Sequence, residues 1–122
     1  MAKILIVEDE AVLNDAYEII LKRQGHKVSQ TYNGKEALEA IKKETPELIL
    51  LDLRMPLMNG VELLEALEPK KNYPGTKIIV FSNYDVQKDI DQAFELGASR
   101  YMLKAWASPK ELVRLVSDTL DD

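Results

Sequence analysis

Three unbroken apolar runs of four residues, at 4–7, 48–51 and 78–81, restrict the fold more than any other feature of the chain. A strand with solvent on one side alternates polar and apolar residues. An unbroken run suits a strand covered on both faces, as in a parallel sheet with helices on each side. Two weaker strand candidates accompany these runs. Residues 27–32 carry several polar side chains and predict an edge strand, and residues 101–103 predict a short fifth strand.

Helical patterns separate the strands. Val12, Ala16, Ile19 and Ile20 recur at helical spacing, and Gly25 follows as a stop. Ala37, Leu38 and Ile41 mark a second helix, opened by Asn33-Gly34 and closed before Thr45-Pro46. Val61, Leu64 and Leu67 mark a third. Val86, Ile90, Ala93 and Phe94 mark a fourth, with Gly97 after it. Leu112, Val113, Val116 and Leu120 mark a fifth, for which Ser108 is the expected N-cap, Pro109 the first residue, and Glu111 the partner in a capping box. Alternating strands and helices imply a parallel sheet with right-handed crossovers. The expected fold is a doubly wound α/β sheet of five strands flanked by five helices, as a single domain over residues 1–122.

Composition narrows the function. A chain of 122 residues can bury one proper core without disulfides. A net charge of -5 argues against direct binding of nucleic acid. The absence of cysteine removes disulfides and thiolate metal sites, which fits a cytoplasmic location. The apolar stretch at 4–7 is too short for a signal peptide or a membrane span.

The sharper signal lies where the strands end. The first is followed by Glu8 and Asp9, the third by Asp52, the fourth by Ser82 and the fifth by Lys104. In an open α/β sheet, ligands bind outside the carboxyl ends of the strands. Three acids, a hydroxyl and an ammonium thus arrive at one edge. Three neighbouring carboxylates repel each other, and a hard divalent cation with oxygen ligands, such as Mg²⁺, relieves the repulsion. An ionised Asp52 could then attack phosphorus while the cation and Lys104 neutralise the phosphoryl oxygens and Ser82 donates to one of them.

These residues carry a resemblance. Glu8-Asp9 after an apolar strand, residues 52–60 from Asp52 through Pro56 to Gly60, then Ser82, Leu96-Gly97-Ala98, Tyr101 and Lys104 together resemble the receiver domain of two-component response regulators. The likeness spans essentially the whole chain. It implies a flavodoxin-like fold with strand order 2-1-3-4-5. It further implies that Asp52 accepts a phosphoryl group from a sensor histidine kinase or a histidine phosphotransfer protein. Asp9 would bind Mg²⁺ directly, Glu8 through water, and Arg54 through its backbone carbonyl, with Asp52 completing the set. Ser82 and Lys104 would bind phosphoryl oxygens. Tyr101 would swing inward, changing the face made by the fourth helix, fifth strand and fifth helix for a downstream effector. On this reading the chain catalyses only its own phosphorylation and slow dephosphorylation, and is a monomer or a phosphorylation-dependent dimer without membrane contact.

The chain also departs from the family pattern. Ala105 follows Lys104 where proline after a cis bond is usual. Asn83 stands where a small residue is common and narrows access to the phosphate. Arg54 and Tyr84 are expected to shield the acyl phosphate from water, and Trp106 to report on Mg²⁺ binding. Arg100 replaces an acid that winged-helix regulators use in their dimer contacts. Two other classes compete with the leading reading. A haloacid-dehalogenase-type phosphohydrolase wants a second acid two residues after its nucleophile, where this chain has Arg54. A pseudo-receiver that only mediates contacts has no need of the Asp9, Asp52, Ser82 and Lys104 set.

Overall fold

A computed structural model describes residues 2–83 and 87–122, with the backbone alone at Trp106. Tyr84, Val86 and the Trp106 side chain, for which the sequence raised expectations, lie outside the described residues. The strands are β1 (Lys3–Val7), β2 (Lys27–Thr31), β3 (Leu48–Asp52), β4 (Lys77–Ser82) and β5 (Arg100–Leu103). They form one sheet in the order β2-β1-β3-β4-β5, every pairing parallel. The helices are α1 (Ala11–Arg23), α2 (Gly34–Lys43), α3 (Gly60–Leu67), α4 (Pro69–Asn72), α5 (Gln87–Leu96) and α6 (Pro109–Asp121). The expected fourth and fifth helices are therefore α5 and α6. The additional helix is α4, a single turn that starts at Pro69 after Glu68 takes a left-handed φ of 48°. Among the described residues, no helix is long and apolar enough to cross a membrane.

The unbroken apolar runs feed two cores at once, because successive strand residues point to opposite faces. Leu5, Val7, Ile49, Leu51, Ile78 and Val80 pack under α2, α3 and α5 through Ala37, Ile41, Leu63, Leu64, Leu67, Ile90 and Ala93. Ile4, Ile6, Leu48, Leu50, Ile79 and Phe81 pack under α1 and α6 through Tyr17, Leu21, Leu112 and Val116. The edge positions expected for the second and fifth strands are borne out.

Helix α1 corrects the sequence reading. Val12 is 82% and Ile19 51% exposed, and Ala16 faces solvent as well. The helix turns Asn14, Tyr17 and Leu21 to the sheet instead. Those three also share one face, but a polar residue at its head hid it. Asn14 is fully buried because its amide has fixed partners: Nδ2 donates to the carbonyls of Glu8 at 3.0 Å and Thr31 at 2.9 Å. Its Oδ1 accepts from Gln30 Nε2 at 2.9 Å. Phe94, assigned to the core face of the fourth helix, is 40% exposed. His26 is half-buried, with Nδ1 accepting from the Ala2 amide at 3.1 Å. Burial lowers its pKa.

The caps divide in the same way. Ser108 does cap α6, accepting from the Glu111 amide at 3.2 Å, without the reciprocal bond expected of Glu111. The full capping box is at α3, where Asn59 accepts from the Glu62 amide and the Glu62 carboxylate accepts from the Asn59 amide. No cis peptide bond occurs among the described residues, so Lys104–Ala105 is trans. A 3-10 turn over Lys104–Trp106 takes the chain out of β5.

Candidate functional site

The parallel register brings the strand ends level. Val7 pairs with Leu51, Asp52 with Phe81, and Ser82 with Leu103, so Glu8, Asp52, Ser82 and Lys104 emerge at one edge. Three of them form a buried charged cluster. Lys104 Nζ lies 2.6 Å from Glu8 Oε1 and 3.0 Å from Asp52 Oδ2, with side-chain exposures of 6%, 2% and 5%. The other oxygens are held by backbone. Glu8 Oε2 accepts from the Glu10 amide at 3.1 Å, and Asp52 Oδ1 accepts from the Arg54 amide at 3.1 Å. Asp9 is exposed beside them. Ser82 is buried at the end of β4. Carboxylate oxygens of Glu8, Asp9 and Asp52 all lie within 4.8 Å of one another.

One ammonium does not balance three carboxylates. Burial pushes the Glu8 carboxyl up to about 7, against the opposing pull of Lys104 and the Glu10 amide, and the Asp52 charge adds to the rise. Burial likewise raises Asp52, against Lys104 and the Arg54 amide. Burial works against the Lys104 ammonium too, but its bonds to Glu8 and Asp52 outweigh that and raise its pKa. The cluster holds its positive charge firmly and its negative charges reluctantly. An all-oxygen donor set with surplus negative charge fits a hard divalent cation such as Mg²⁺. A cavity of about 180 Å³, lined by Asp9, Glu10, Asp52, Arg54, Asn83 and Lys104, opens onto the cluster. Asn83 is among the residues that line it.

The loop between β3 and α3 is built to hold Asp52 still. The Gly60 amide donates back to the Leu53 carbonyl at 3.0 Å, and a Cβ on Gly60 would meet the Asp52 carbonyl at 2.9 Å. The Gly34 amide donates to the Met58 carbonyl at 3.1 Å, and a Cβ there would meet that oxygen at 2.6 Å. Both positions therefore require glycine for close approach. Between these anchors Leu57 takes φ 68°, which costs an L side chain roughly 1–2 kcal/mol.

Two supporting residues escaped the sequence reading. Asn14 ties the ends of β1 and β2 together directly behind Glu8. Tyr17 packs edge-on against Phe81, ring centroids 5.7 Å apart. Burial, and secondly the Glu8 charge, pushes the Tyr17 hydroxyl up to about 12. The signal for both was the spacing of Asn14, Tyr17 and Leu21, one and two turns apart on a single face. Tyr101 is partly buried, packed against the core on the side of α2, α3 and α5, with its hydroxyl out of solvent.

Comparison with known proteins agrees with this arrangement. The family model of the response regulator receiver domain matches residues 4–117. A CheY-like response regulator receiver domain protein from Methanospirillum hungatei is 30% identical, with a TM-score of 0.91 over 99% of this chain and 94% of that one. Chemotaxis protein CheY4 of Vibrio cholerae is 25% identical, with a TM-score of 0.88 over 98% of each chain. NtrX of Brucella abortus is 26% identical, with a TM-score of 0.86 over 98% of this chain but 27% of its own.

Proposed function

Since the chain belongs to the response regulator receiver domain family, we propose that Asp52 is the phosphoacceptor of a phosphorelay and that its modification alters the face made by α5, β5 and α6. The observation that carries the reading is the Asp52 carboxylate, held by the Arg54 amide at one oxygen and the Lys104 ammonium at the other, beside two further acids. An oxygen of ionised Asp52 attacks the phosphorus of a phosphohistidine; the P–N bond breaks, and its electron pair returns to the imidazole nitrogen. Phosphoryl transfer of this kind needs positioning and charge neutralisation more than covalent assistance. Lys104 neutralises charge on the phosphoryl oxygens, and the Ser82 hydroxyl donates to one of them. Glu8, Asp9, Asp52 and the Arg54 carbonyl would hold Mg²⁺, which supplies a second positive charge. Tyr101 and Ser82 relay the change to the face that a downstream effector reads. The donor is a sensor histidine kinase or a histidine phosphotransfer protein.

The test is an intact mass after incubation with Mg²⁺ and acetyl phosphate. One added phosphoryl group, lost on chelation of Mg²⁺ and absent in Asp52→Asn, supports the reading. Catalytic release of phosphate points to a hydrolase instead. A mass that stays unchanged, even with histidine donors, points to a pseudo-receiver.

A further inference from the structure

We propose that Asn14 is a positioning residue for a divalent cation at the carboxyl ends of the strands: it holds the peptide between Glu8 and Asp9, and so sets how tightly and how selectively the acidic cluster binds Mg²⁺. This rests on the Mg²⁺ part of the reading above. Asn14 is fully buried in the first turn of α1. Its Nδ2 donates to the Glu8 carbonyl at 3.0 Å and to the Thr31 carbonyl at 2.9 Å, so both amide hydrogens are used. Gln30 Nε2 donates to Asn14 Oδ1 at 2.9 Å and to Asp15 Oδ1 at 2.8 Å, which leaves the Asn14 amide one orientation. The Thr31 carbonyl also accepts from the Glu8 amide at 3.1 Å. Glu8 is therefore held at both of its backbone polar groups, by the end of β2 on one side and by α1 on the other.

The carbonyl that Asn14 grips belongs to the peptide joining Glu8 to Asp9. That peptide is planar, so fixing its oxygen also fixes the Asp9 amide and the direction in which the chain leaves it. Carboxylate oxygens of Glu8, Asp9 and Asp52 lie within 4.8 Å of one another and repel. Lys104 pairs with Glu8 and Asp52, and Asp9 is exposed, so the repulsion bears most on the arm that carries Asp9. Strand pairing alone holds the end of β1 through the Glu8 amide. The Asn14 bonds come on top of it, and they require a carboxamide to be buried on the face that continues with Tyr17 and Leu21. A side chain placed behind metal ligands acts on the cation through their geometry. Mg²⁺ demands near-ideal octahedral coordination, whereas Ca²⁺ accepts irregular sites. A looser Glu8–Asp9 arm thus loses Mg²⁺ affinity first, and the preference for Mg²⁺ with it.

The experiment measures Mg²⁺ and Ca²⁺ dissociation constants by isothermal titration calorimetry on the unphosphorylated chain, with thermal midpoints alongside. The forms compared are wild type, Asn14→Ala, Gln30→Ala and Val116→Ala. Val116 is a buried core residue of α6 and no part of the acidic cluster or its cavity, so its variant lowers stability alone. Asn14→Ala is expected to weaken Mg²⁺ binding about tenfold, the usual loss when a group supporting metal ligands is removed, and Ca²⁺ binding by less. Gln30→Ala shifts both constants in the same direction by a smaller amount. Val116→Ala lowers the thermal midpoint and keeps both constants. An Mg²⁺ constant within about twofold of wild type in Asn14→Ala overturns the inference. So does an equal loss for the two cations, or a loss as large in Val116→Ala, since either makes Asn14 a structural residue only. Should Asn14→Ala fail to fold, Gln30→Ala decides: wild-type constants for both cations overturn the inference, and a fallen preference for Mg²⁺ supports it. A wild-type chain without saturable Mg²⁺ binding sinks the cation reading itself, and the inference with it.

Discussion

Charges at the two ends of the strands are handled in opposite ways. At the amino ends, Lys3 and Lys27 flank Glu44 at 3.8 and 3.9 Å, with side-chain exposures of 48–69%. The backbone there closes on itself: the Lys27 amide donates to Ala2, Glu47 to Lys3 and Lys77 to Glu47, each within 2.9 Å. At the carboxyl ends, Glu8, Asp52 and Lys104 are buried to 6% exposure or less, and the acids outnumber the base. One edge is neutralised by solvent and loose pairs. The other holds two carboxyls and one ammonium out of water, which costs stability. The difference lies in burial and charge balance: strand ends of equal geometry carry solvated pairs at one edge and a buried charged cluster at the other.

Removing the base at the carboxyl edge breaks the contrast most sharply. Lys104→Met leaves Glu8 and Asp52 facing each other without their shared ammonium. The rate of Asp52 labelling by phosphoramidate is expected to fall by about 100-fold, the usual loss when one preorganised charge partner is removed. Single-turnover kinetics checks this. A fall smaller than threefold would show that Lys104 is a structural counter-ion only.

The acid at the same edge gives a smaller and pH-dependent effect. Glu8 titrates at about 7 in the fold against an ordinary 4.5. The native state therefore binds a proton that the unfolded chain has released, and the stability this gives is full below about pH 4.5 and lost as pH rises through 7. The loss amounts to roughly 3 kcal/mol, and burial of Asp52 acts in the same direction. His26, with its lowered pKa, opposes it in the neutral range. Urea unfolding of metal-free protein between pH 5 and 8 should show stability falling with pH in wild type and a flatter profile in Glu8→Gln. Mg²⁺ should flatten the wild-type profile as well, since a ligand of the native state favours the ionised cluster.

The sequence was most legible where one residue type has one physical use. Unbroken apolar runs of four suit strands covered on both sides, and the strand order came from the family resemblance. Glu8, Asp52, Ser82 and Lys104 were visible because strand ends locate side chains without any packing information. Helix α1 was misread in part: of Val12, Ala16, Ile19 and Ile20 only Ile20 packs against the core, and the buried face is Asn14-Tyr17-Leu21, whose polar head hides it. What decides is the pair of carbonyls at Glu8 and Thr31 that satisfy the Asn14 amide, and these come from other strands. The capping box was expected at Ser108 and Glu111 and formed at Asn59 and Glu62, because both pairs have the required spacing and only local geometry separates them. Leu57 carried no signal at all, since a positive φ at leucine goes against every propensity.

The amino edge supplies the smallest effect and the control for the rest. Glu44 lies near two lysines, and a reading by inspection would rank it with Glu8 as an ion-pair centre. Its carboxylate is 54% exposed, and both distances approach the outer limit of an ion pair. Water screens both interactions, and each side chain must lose rotamer freedom to make them. Glu44→Gln should therefore change stability by less than about 0.5 kcal/mol at 25 °C. It should also leave the slope of stability between pH 5 and 8 as it is in wild type, whereas Glu8→Gln alters it. Parallel urea titrations of the two variants check both. A Glu44→Gln effect as large as that of Glu8→Gln would mean that the amino edge also holds its charges away from solvent, and that burial does not distinguish the two ends of this sheet.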